Sequence, residues 1–240
     1  MNSEPTMLRS PEEWNSQWEK WFNRYSQGNP RLGKWLASRY NISNATILEI
    51  GAGSGRESRF LSQRAKSVTC ADFAPLAVRL LADSNLPPNM NAVEADAYNL
   101  PFSDKLFDLT FHKGFWILFD NNEKLEHLLR EQLRVTRNVV SAIVQNSLNL
   151  KQVSKANAMA QNDSLFCFRF FRPNELEQLA RKVVSECGIN AKIRILKYGS
   201  PSLSRALIPF GALGDSLASK FYTYLPWSLI ECAALEIIRD

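Results

Sequence analysis

Three glycines at alternate positions follow the apolar run Ile47–Ile50 in this 240-residue chain. Gly51, Gly53 and Gly55 stand between that run and a segment with helical character, so the backbone must turn tightly there. A ligand can lie against backbone that carries no side chains, and the amides at a helix start attract a carboxylate or phosphate. Asp72 follows roughly 20 residues later, the spacing at which an acid binds ribose hydroxyls. The pattern predicts a ribose-containing cofactor, although a purely structural turn would also explain the glycines.

The glycine spacing separates two classes of nucleotide cofactor. A nicotinamide dinucleotide site has the pattern G-x-G-x-x-G, whereas this loop reads G-x-G-x-G and is preceded by Glu49. The loop resembles motif I of the class I S-adenosylmethionine-dependent methyltransferases, and in particular the small-molecule enzymes of methyltransferase type 11, whose members usually carry an acid before the glycines. This resemblance implies S-adenosylmethionine as cofactor and S-adenosylhomocysteine as product. It disfavours a nicotinamide dehydrogenase.

Further segments match the superfamily in the same order between residues 46 and 198. Asp72 and Phe73 match its second signature, in which an acid holds the ribose and an apolar residue contacts adenine. Asp96 and Ala97 match its third, in which the acid commonly meets the adenine amino group. The resemblance implies these cofactor-binding residues: Glu49, Gly51, Ala52, Gly53, Gly55, Asp72, Phe73, Asp96, Ala97 and His112.

The elements that must position these residues alternate between strands and helices. Such alternation is typical of parallel strands joined by right-handed crossovers. The sequence predicts an α/β fold, with a Rossmann-like, seven-stranded, mostly parallel sheet, an antiparallel edge strand, helices on both faces and an N-terminal helical lid. The predicted strands are 46–50, 67–71, 90–95, 107–112, 138–145, 191–198 and 229–238; the predicted helices are 10–25, 32–40, 56–65, 75–83, 125–134 and 173–187.

The chain is predicted to form a single methyltransferase domain over residues 1–240. Residues 1–45 are assigned to a helical cap and residues 46–150 to the cofactor-binding core. Residues 151–240 are the C-terminal half, with an apolar, helical insertion at 203–225. The two late strands are expected to form an antiparallel hairpin that this insertion interrupts.

The fourth predicted strand ends near the expected acceptor position, because the superfamily places the acceptor over the carboxyl ends of strands one and four. His112 is the candidate general base, since its pKa suits proton removal near neutrality. Alternatively, His112 lines the methionine end of the cofactor without exchanging a proton. Lys113 and Trp116 are candidate substrate contacts. No Asn-Pro-Pro-Tyr or Asp-Pro-Pro-Tyr motif follows this strand, which disfavours methylation of adenine or of a glutamine amide.

Aromatic residues at spacings of three and four form a stripe along the first predicted helix. Such a stripe usually packs on the core, which is our interpretation of Trp14 and Trp18. Related small-molecule methyltransferases place a lid before the first strand. Trp21 and Tyr25 are therefore candidates to close the site and to stack on a planar or cationic substrate.

Composition and charge set the remaining expectations. The chain is 45% hydrophobic and 22% charged, and it contains no apolar stretch long enough to span a membrane, so we expect a globular protein. Its four cysteines lie far apart, which indicates reduced thiols and a cytoplasmic location. Its four separated cysteines and two histidines show no metal-binding spacing, so no metal is expected. The net charge of +5 is spread along the chain rather than gathered in a patch, which disfavours nucleic acid as a partner.

Together these features favour a methyltransferase acting on oxygen or nitrogen of a small-molecule metabolite or natural product, as a monomer or homodimer. An RNA methyltransferase is one alternative, because the net charge is basic. A non-catalytic protein that binds the cofactor is another, because binding residues alone do not prove turnover.

Overall fold

A seven-stranded sheet forms the centre of the fold in the computed structural model, which describes residues 10–200, 203 and 220–239. The strands are β1 (Thr46–Ile50), β2 (Ser67–Asp72), β3 (Met90–Glu94), β4 (Phe107–Lys113), β5 (Thr136–Gln145), β6 (Ala191–Tyr198) and β7 (Cys232–Arg239). Their order across the sheet is β3-β2-β1-β4-β5-β7-β6. Strands β1 to β5 are parallel, and β7 is antiparallel to both β5 and β6. The predicted α/β fold is confirmed, including the antiparallel pair at one edge.

Helices cover both faces of the sheet. Within the described residues they are α1 (Pro11–Ser26), α2 (Arg31–Arg39), α3 (Arg56–Leu61), α4 (Pro75–Ala82), α5 (Asn122–Val135), α6 (Leu150–Ala160) and α7 (Pro173–Glu186). Side chains from α1 to α4 form one apolar cluster with the sheet, and side chains from α5 and α7 form another. Strand β5 shows that these clusters lie on opposite faces, because Ile143 belongs to the first and its neighbours Ala142 and Val144 to the second.

Helix α1 is fixed at its start and along its side. Ser10 Oγ accepts a hydrogen bond from the Glu13 amide at 3.2 Å, and Glu13 Oε2 accepts one from the Ser10 amide at 2.9 Å, which completes a capping box. Asn15 Oδ1 accepts a hydrogen bond from the Leu76 amide at 3.0 Å. Because Leu76 lies at the start of α4, this bond holds α1 beside the end of β2.

The structure differs from the sequence prediction in the C-terminal half. Helix α6 was not predicted, because only Ala156 and Ala160 are buried in it and no broad apolar stripe marks it. Strand β7 begins at Cys232 rather than 229, since residues Trp227–Leu229 form a short 3₁₀ helix. Most of the predicted insertion 203–225 lies outside the described residues; its described end contains the 3₁₀ helix Tyr222–Tyr224.

A membrane-spanning helix would need to be long and continuously apolar. None of the helices in the described ranges meets both conditions.

Candidate functional site

A cavity of about 1000 Å³ lies at the carboxyl edge of the parallel strands. Residues at the ends of four strands line it: Gly51 after β1, Asp72 on β2, Lys113 on β4 and Gln145 on β5. Helix α1 contributes several aromatic side chains to the same wall. The volume is at the upper end of the range of roughly 300–1,000 Å³ for small-molecule sites. Ligands of open α/β sheets bind at this edge.

The glycine loop has a backbone that only glycine adopts readily. Gly51, Gly53 and Gly55 have φ angles of 62°, 50° and 61°, in the left-handed region. A Cβ atom would lie 3.0 Å from the Phe115 ring at Gly51 and 2.2 Å from the Trp18 ring at Gly53. Both the dihedral angles and the close neighbours therefore require a loop of bare backbone, as the glycine spacing predicted.

Asp72 is bonded directly to this loop. Its Oδ2 accepts a hydrogen bond from the Gly53 amide at 2.8 Å, and its Oδ1 accepts one from the Ala74 amide at 2.9 Å. Burial raises the pKa of the Asp72 carboxyl, and the amide hydrogen bonds oppose that rise. Each oxygen has another acceptor position, so both can also accept hydrogen bonds from ligand hydroxyls.

Glu49 lies beneath the loop and also lines the cavity. Its Oε2 accepts hydrogen bonds from the Ser58 hydroxyl at 2.6 Å and from the Ser58 amide at 3.3 Å. Burial raises the pKa of Glu49 to about 8, so this carboxyl is largely protonated at neutral pH. Glu49 therefore links β1 to α3 as a mostly neutral group.

The third predicted acid lies where β3 ends. Asp96 is exposed on the cavity wall, and its Oδ1 accepts a hydrogen bond from the Tyr98 amide at 2.9 Å. Phe73 and Ala97 are half-buried on the same wall. Of the residues predicted to bind a cofactor, these line the cavity: Glu49, Gly51, Ala52, Asp72, Phe73, Asp96 and Ala97. Gly53 and Gly55 do not line it; they shape the turn behind its wall.

The position of His112 contradicts the roles predicted for it. Its side chain is completely buried and does not line the cavity. The ring packs 4.8 Å from the Trp116 ring and 5.7 Å from the Phe115 ring, between centroids, and neither nitrogen has a hydrogen-bond partner. Burial lowers the pKa of His112 to about 3. A base needs contact with the acceptor and a pKa near the working pH, and His112 has neither.

Of the other two candidate residues near the end of β4, Trp116 and Lys113, only one lines the cavity. Trp116 is completely buried beside His112 and does not line the cavity, so its predicted substrate contact is also wrong. Lys113 does line the cavity, and its Nζ lies 5.8 Å from the centroid of the Tyr198 ring. Strand β4 continues one residue beyond the predicted end, which makes Lys113 its last residue.

All four ring residues along this side of α1 line the cavity: Trp14, Trp18, Trp21 and Tyr25. The assignment of Trp14 and Trp18 to the core alone is therefore corrected, although Trp18 also packs against the apolar cluster of that face. The rings of Trp14 and Trp18 are 6.2 Å apart between centroids. The Tyr25 carbonyl accepts a hydrogen bond from Arg56 Nη1 at 3.4 Å, which joins the end of α1 to the start of α3.

Sequence reasoning missed one wall of the cavity. This wall consists of apolar residues from two segments: Phe115, Ile117, Leu118 and Phe119 after β4, and Leu165, Phe166 and Phe168 after α6. A backbone hydrogen bond from the Arg169 amide to the Ile117 carbonyl, 2.8 Å long, holds the two segments together. The four phenylalanines between residues 166 and 171 are the sequence feature that could have indicated this apolar wall.

A family of proteins described as methyltransferase domain matches residues 47–138. The match extends from β1 into the start of β5. It includes the glycine loop, Asp72 and Asp96, the residues around which the cavity wall is built.

Two named relatives also match part of the chain. Phthiotriol/phenolphthiotriol dimycocerosates methyltransferase of Mycobacterium leprae (strain TN) is 31% identical over 78 residues, which are 32% of this chain and 29% of that protein. Cypemycin N-terminal methyltransferase of a Streptomyces species is 29% identical over 100 residues, which are 41% of this chain and 40% of that protein. The chain thus spans less than half the length of each relative.

The fold is also similar to solved structures over almost the whole chain. Magnesium protoporphyrin IX methyltransferase of Synechocystis PCC 6803, solved with bound S-adenosylhomocysteine, aligns with a TM-score of 0.62 and 12% identity. The alignment covers 96% of this chain and 97% of that one. At this identity the likeness establishes a common fold.

Proposed function

We propose that this chain, a member of the class I S-adenosylmethionine-dependent methyltransferase superfamily, binds S-adenosylmethionine in the cavity and transfers its methyl group to a small-molecule acceptor. The atom methylated is an oxygen or a nitrogen. The observation that carries this proposal is the hydrogen-bonded unit of Asp72 and the glycine loop on the cavity wall. Such a unit presents backbone without side chains and an acid suited to hydroxyl groups on the same wall.

The chain's residues fit the cofactor in three places. The side-chain-free backbone at Gly51 on the cavity wall suits its carboxylate end, and Asp72 suits its ribose. Phe73, Asp96 and Ala97 suit adenine, as one carboxylate beside two apolar surfaces. When bound, the cofactor supplies an electrophilic methyl group on sulfur, so the protein has mainly to align the acceptor and exclude water.

The residues that would exclude water belong to α1. Trp21 and Tyr25 are assigned to the substrate-facing lid, and Trp14 and Trp18 join them. The hydrogen bonds from α1 to Leu76 and Arg56 hold this lid against the first turns of α4 and α3. This supports a single domain in which residues 1–45 act as a cap.

Two alternatives follow from the same cavity. An RNA methyltransferase would need a basic surface leading into the site, whereas the lining residues mix acids with three cations, of which Arg56 and Lys124 are already paired with acids. A non-catalytic binding protein would keep the cofactor contacts and lack turnover. The aromatic walls of the cavity favour a small apolar substrate over RNA, and a turnover assay separates the enzyme from a binding protein.

Calorimetric titration with S-adenosylmethionine, S-adenosylhomocysteine and NADH tests the proposal. We expect binding of both sulfur compounds and no binding of NADH. Transfer of labelled methyl groups to pooled small nucleophiles would then separate an enzyme from a binding protein. Failure of both sulfur compounds to bind the folded protein would refute the cofactor assignment.

A further inference from the structure

Besides the mostly protonated Glu49 and the ion pairs Arg56–Glu57 and Lys124–Asp120, the charged groups that line the cavity are divided between its ends. Three acids follow or end β2 and β3, namely Asp72, Glu94 and Asp96, whereas Lys113 ends β4. Strands β3 and β4 are three places apart in the sheet, which corresponds to about 14 Å at the usual strand spacing. The cavity is therefore polarised, with carboxylates at one end and an ammonium group at the other.

Lys113 differs from the other cations on the wall, because each of those is already paired. Arg56 Nη2 lies 2.7 Å from Glu57, and Lys124 Nζ lies 3.0 Å from Asp120. Within the described part of the chain, Lys113 forms no ion pair or hydrogen bond, and its Nζ lies over the face of the Tyr198 ring. A half-buried ammonium without a counter-ion attracts an anion from solution.

The cavity that Lys113 lines also has an apolar wall. Ile117 and Leu118 follow β4, the strand that Lys113 ends, and Leu165, Phe166 and Phe168 line the cavity beside them. A ligand that fills this end must therefore combine an apolar, ring-sized body with one acidic group.

We propose that the acceptor is an apolar or aromatic carboxylic acid, that Lys113 binds its carboxylate, and that the product is a methyl ester. This inference rests on the proposed methyltransferase function and names the substrate class of the same site. One carboxylate oxygen contacts the Lys113 ammonium group, and the other attacks the methyl carbon. A carbon–oxygen bond forms, the carbon–sulfur bond breaks, and its electron pair stays on the sulfur, which becomes a neutral thioether.

A carboxylate acceptor agrees with the position of the histidines. Neither His112 nor His127, the two histidines of the chain, lines the cavity. An alcohol must lose a proton to a base during transfer, whereas a carboxylic acid with a pKa of about 4 is already ionised at neutral pH. No proton moves in the proposed step, so the buried histidine is not needed for it.

Equilibrium binding of three matched probes tests this inference without turnover. The probes are 2-naphthoate, its neutral amide 2-naphthamide, and the cationic 2-(aminomethyl)naphthalene, titrated calorimetrically into the protein with S-adenosylhomocysteine present. We expect naphthoate to bind at least tenfold more tightly than the other two. Lys113→Gln should remove this preference, and Lys113→Arg should retain it.

Lys124→Gln is the matched control, because Lys124 lines the same cavity but is paired with Asp120. It should leave the naphthoate preference within threefold of the unchanged protein. Thermal unfolding of each variant confirms that it is folded. Equal binding of the three probes, tighter binding of the amine, or an unchanged preference in Lys113→Gln would each overturn the inference.

The reaction product provides an independent readout. Label transferred to naphthoate should be released by mild alkali, as an ester, whereas methylated amines and ethers retain it. If the protein binds S-adenosylmethionine and methylates an amine instead, the ester inference fails and the methyltransferase function stands. If it binds no S-adenosylmethionine, the proposed function itself fails.

Discussion

The two ends of the cavity are built from different kinds of contact. At the proposed cofactor end, Asp72 is hydrogen-bonded to the glycine loop and Glu49 to Ser58 of α3, at distances between 2.6 and 3.3 Å, and both acids are buried. At the acceptor end, the walls are ring and alkyl side chains from segments that meet through few backbone bonds. A hydrogen-bonded wall tolerates little substitution, because each change leaves a buried donor or acceptor without a partner. An apolar wall can exchange side chains at a smaller cost, so the acceptor end is where specificity can vary.

Among the substitutions that test this difference between the two walls, Gly53→Ala is expected to have the largest effect on cofactor affinity. Gly53 has a φ of 50°, and its added methyl carbon would lie 2.2 Å from the Trp18 ring. The strained backbone and the displaced indole should weaken S-adenosylmethionine binding by about 3 kcal/mol or more, roughly 100-fold, measured calorimetrically.

Gly188→Ala is a control for the backbone strain alone. Gly188 has a φ of 62° at the end of α7, and a Cβ there meets nothing within 4 Å. This variant should lose some thermal stability and keep its cofactor affinity. If Gly53→Ala kept full cofactor affinity, the claim that the hydrogen-bonded wall tolerates little substitution would be wrong.

The next effect is expected for Asp72→Asn. The new amide nitrogen would face the Gly53 or Ala74 amide, and the negative acceptor for ribose hydroxyls would be lost. Cofactor binding should weaken by about 1–3 kcal/mol, or about 5- to 150-fold. Asp83→Asn, on an exposed residue that caps α4, should leave calorimetric affinity unchanged. Equal affinities of the two variants would remove Asp72 from the cofactor site.

His112 should affect stability rather than turnover. Its pKa is about 3 in the fold and about 6.5 when unfolded, so the neutral, buried ring favours folding fully above pH 6.5. As the pH falls from 6.5 towards 3, the unfolded chain binds the extra proton and stability falls by about 1 kcal/mol per pH unit. His112→Leu should remove this loss while leaving the pH profile of methyl transfer unchanged.

Chemical unfolding of both proteins at each pH gives the difference directly. Glu49 contributes the opposite trend, because its raised pKa makes stability fall as the pH rises from about 4.5 to 8. That contribution is common to both proteins and cancels in the difference. His127→Leu, at the exposed histidine, is the control. A pH-independent difference for His112→Leu would disprove the burial argument.

The smallest effect is expected at the acceptor end, for Trp21→Ala. Loss of one ring from the lid should raise the KM for an aromatic acceptor by roughly 2- to 10-fold, corresponding to about 0.5–1.5 kcal/mol. The affinity for S-adenosylhomocysteine should stay constant, and Trp21→Phe should restore most of the KM. A change in cofactor affinity with no change in KM would assign Trp21 to the cofactor end instead.

The proximity of the glycine loop and Asp72 could be predicted because the two are close in the sequence. The glycine loop and Asp72 lie within 25 positions of one another, on two strands whose buried apolar runs are easily read. Such a short separation leaves few ways to arrange the residues, so glycine and acid spacing already imply their contact.

The apolar wall that follows β4 and α6 could not be predicted in this way. Leu165, Phe166 and Phe168 reach the cavity after α6, a helix with little apolar periodicity, and Leu150 at its start is 72% exposed. The predicted role of His112 was wrong for a different reason. One extra residue in β4 made Lys113 the terminal side chain and left His112 on a covered face of the sheet.

The two ends of the described chain lie at opposite edges of the sheet, because of the direction in which β7 runs. Because β7 is antiparallel to β5, Arg239 lies at the amino edge of the parallel strands, where its Nη1 donates to the carbonyls of Leu133 and Thr136. Pro11, near the other described end, lines the cavity. A tether placed at Arg239 would hold the molecule on a sensor surface with its mouth facing the solution, whereas one placed beside Pro11 would obstruct the entrance.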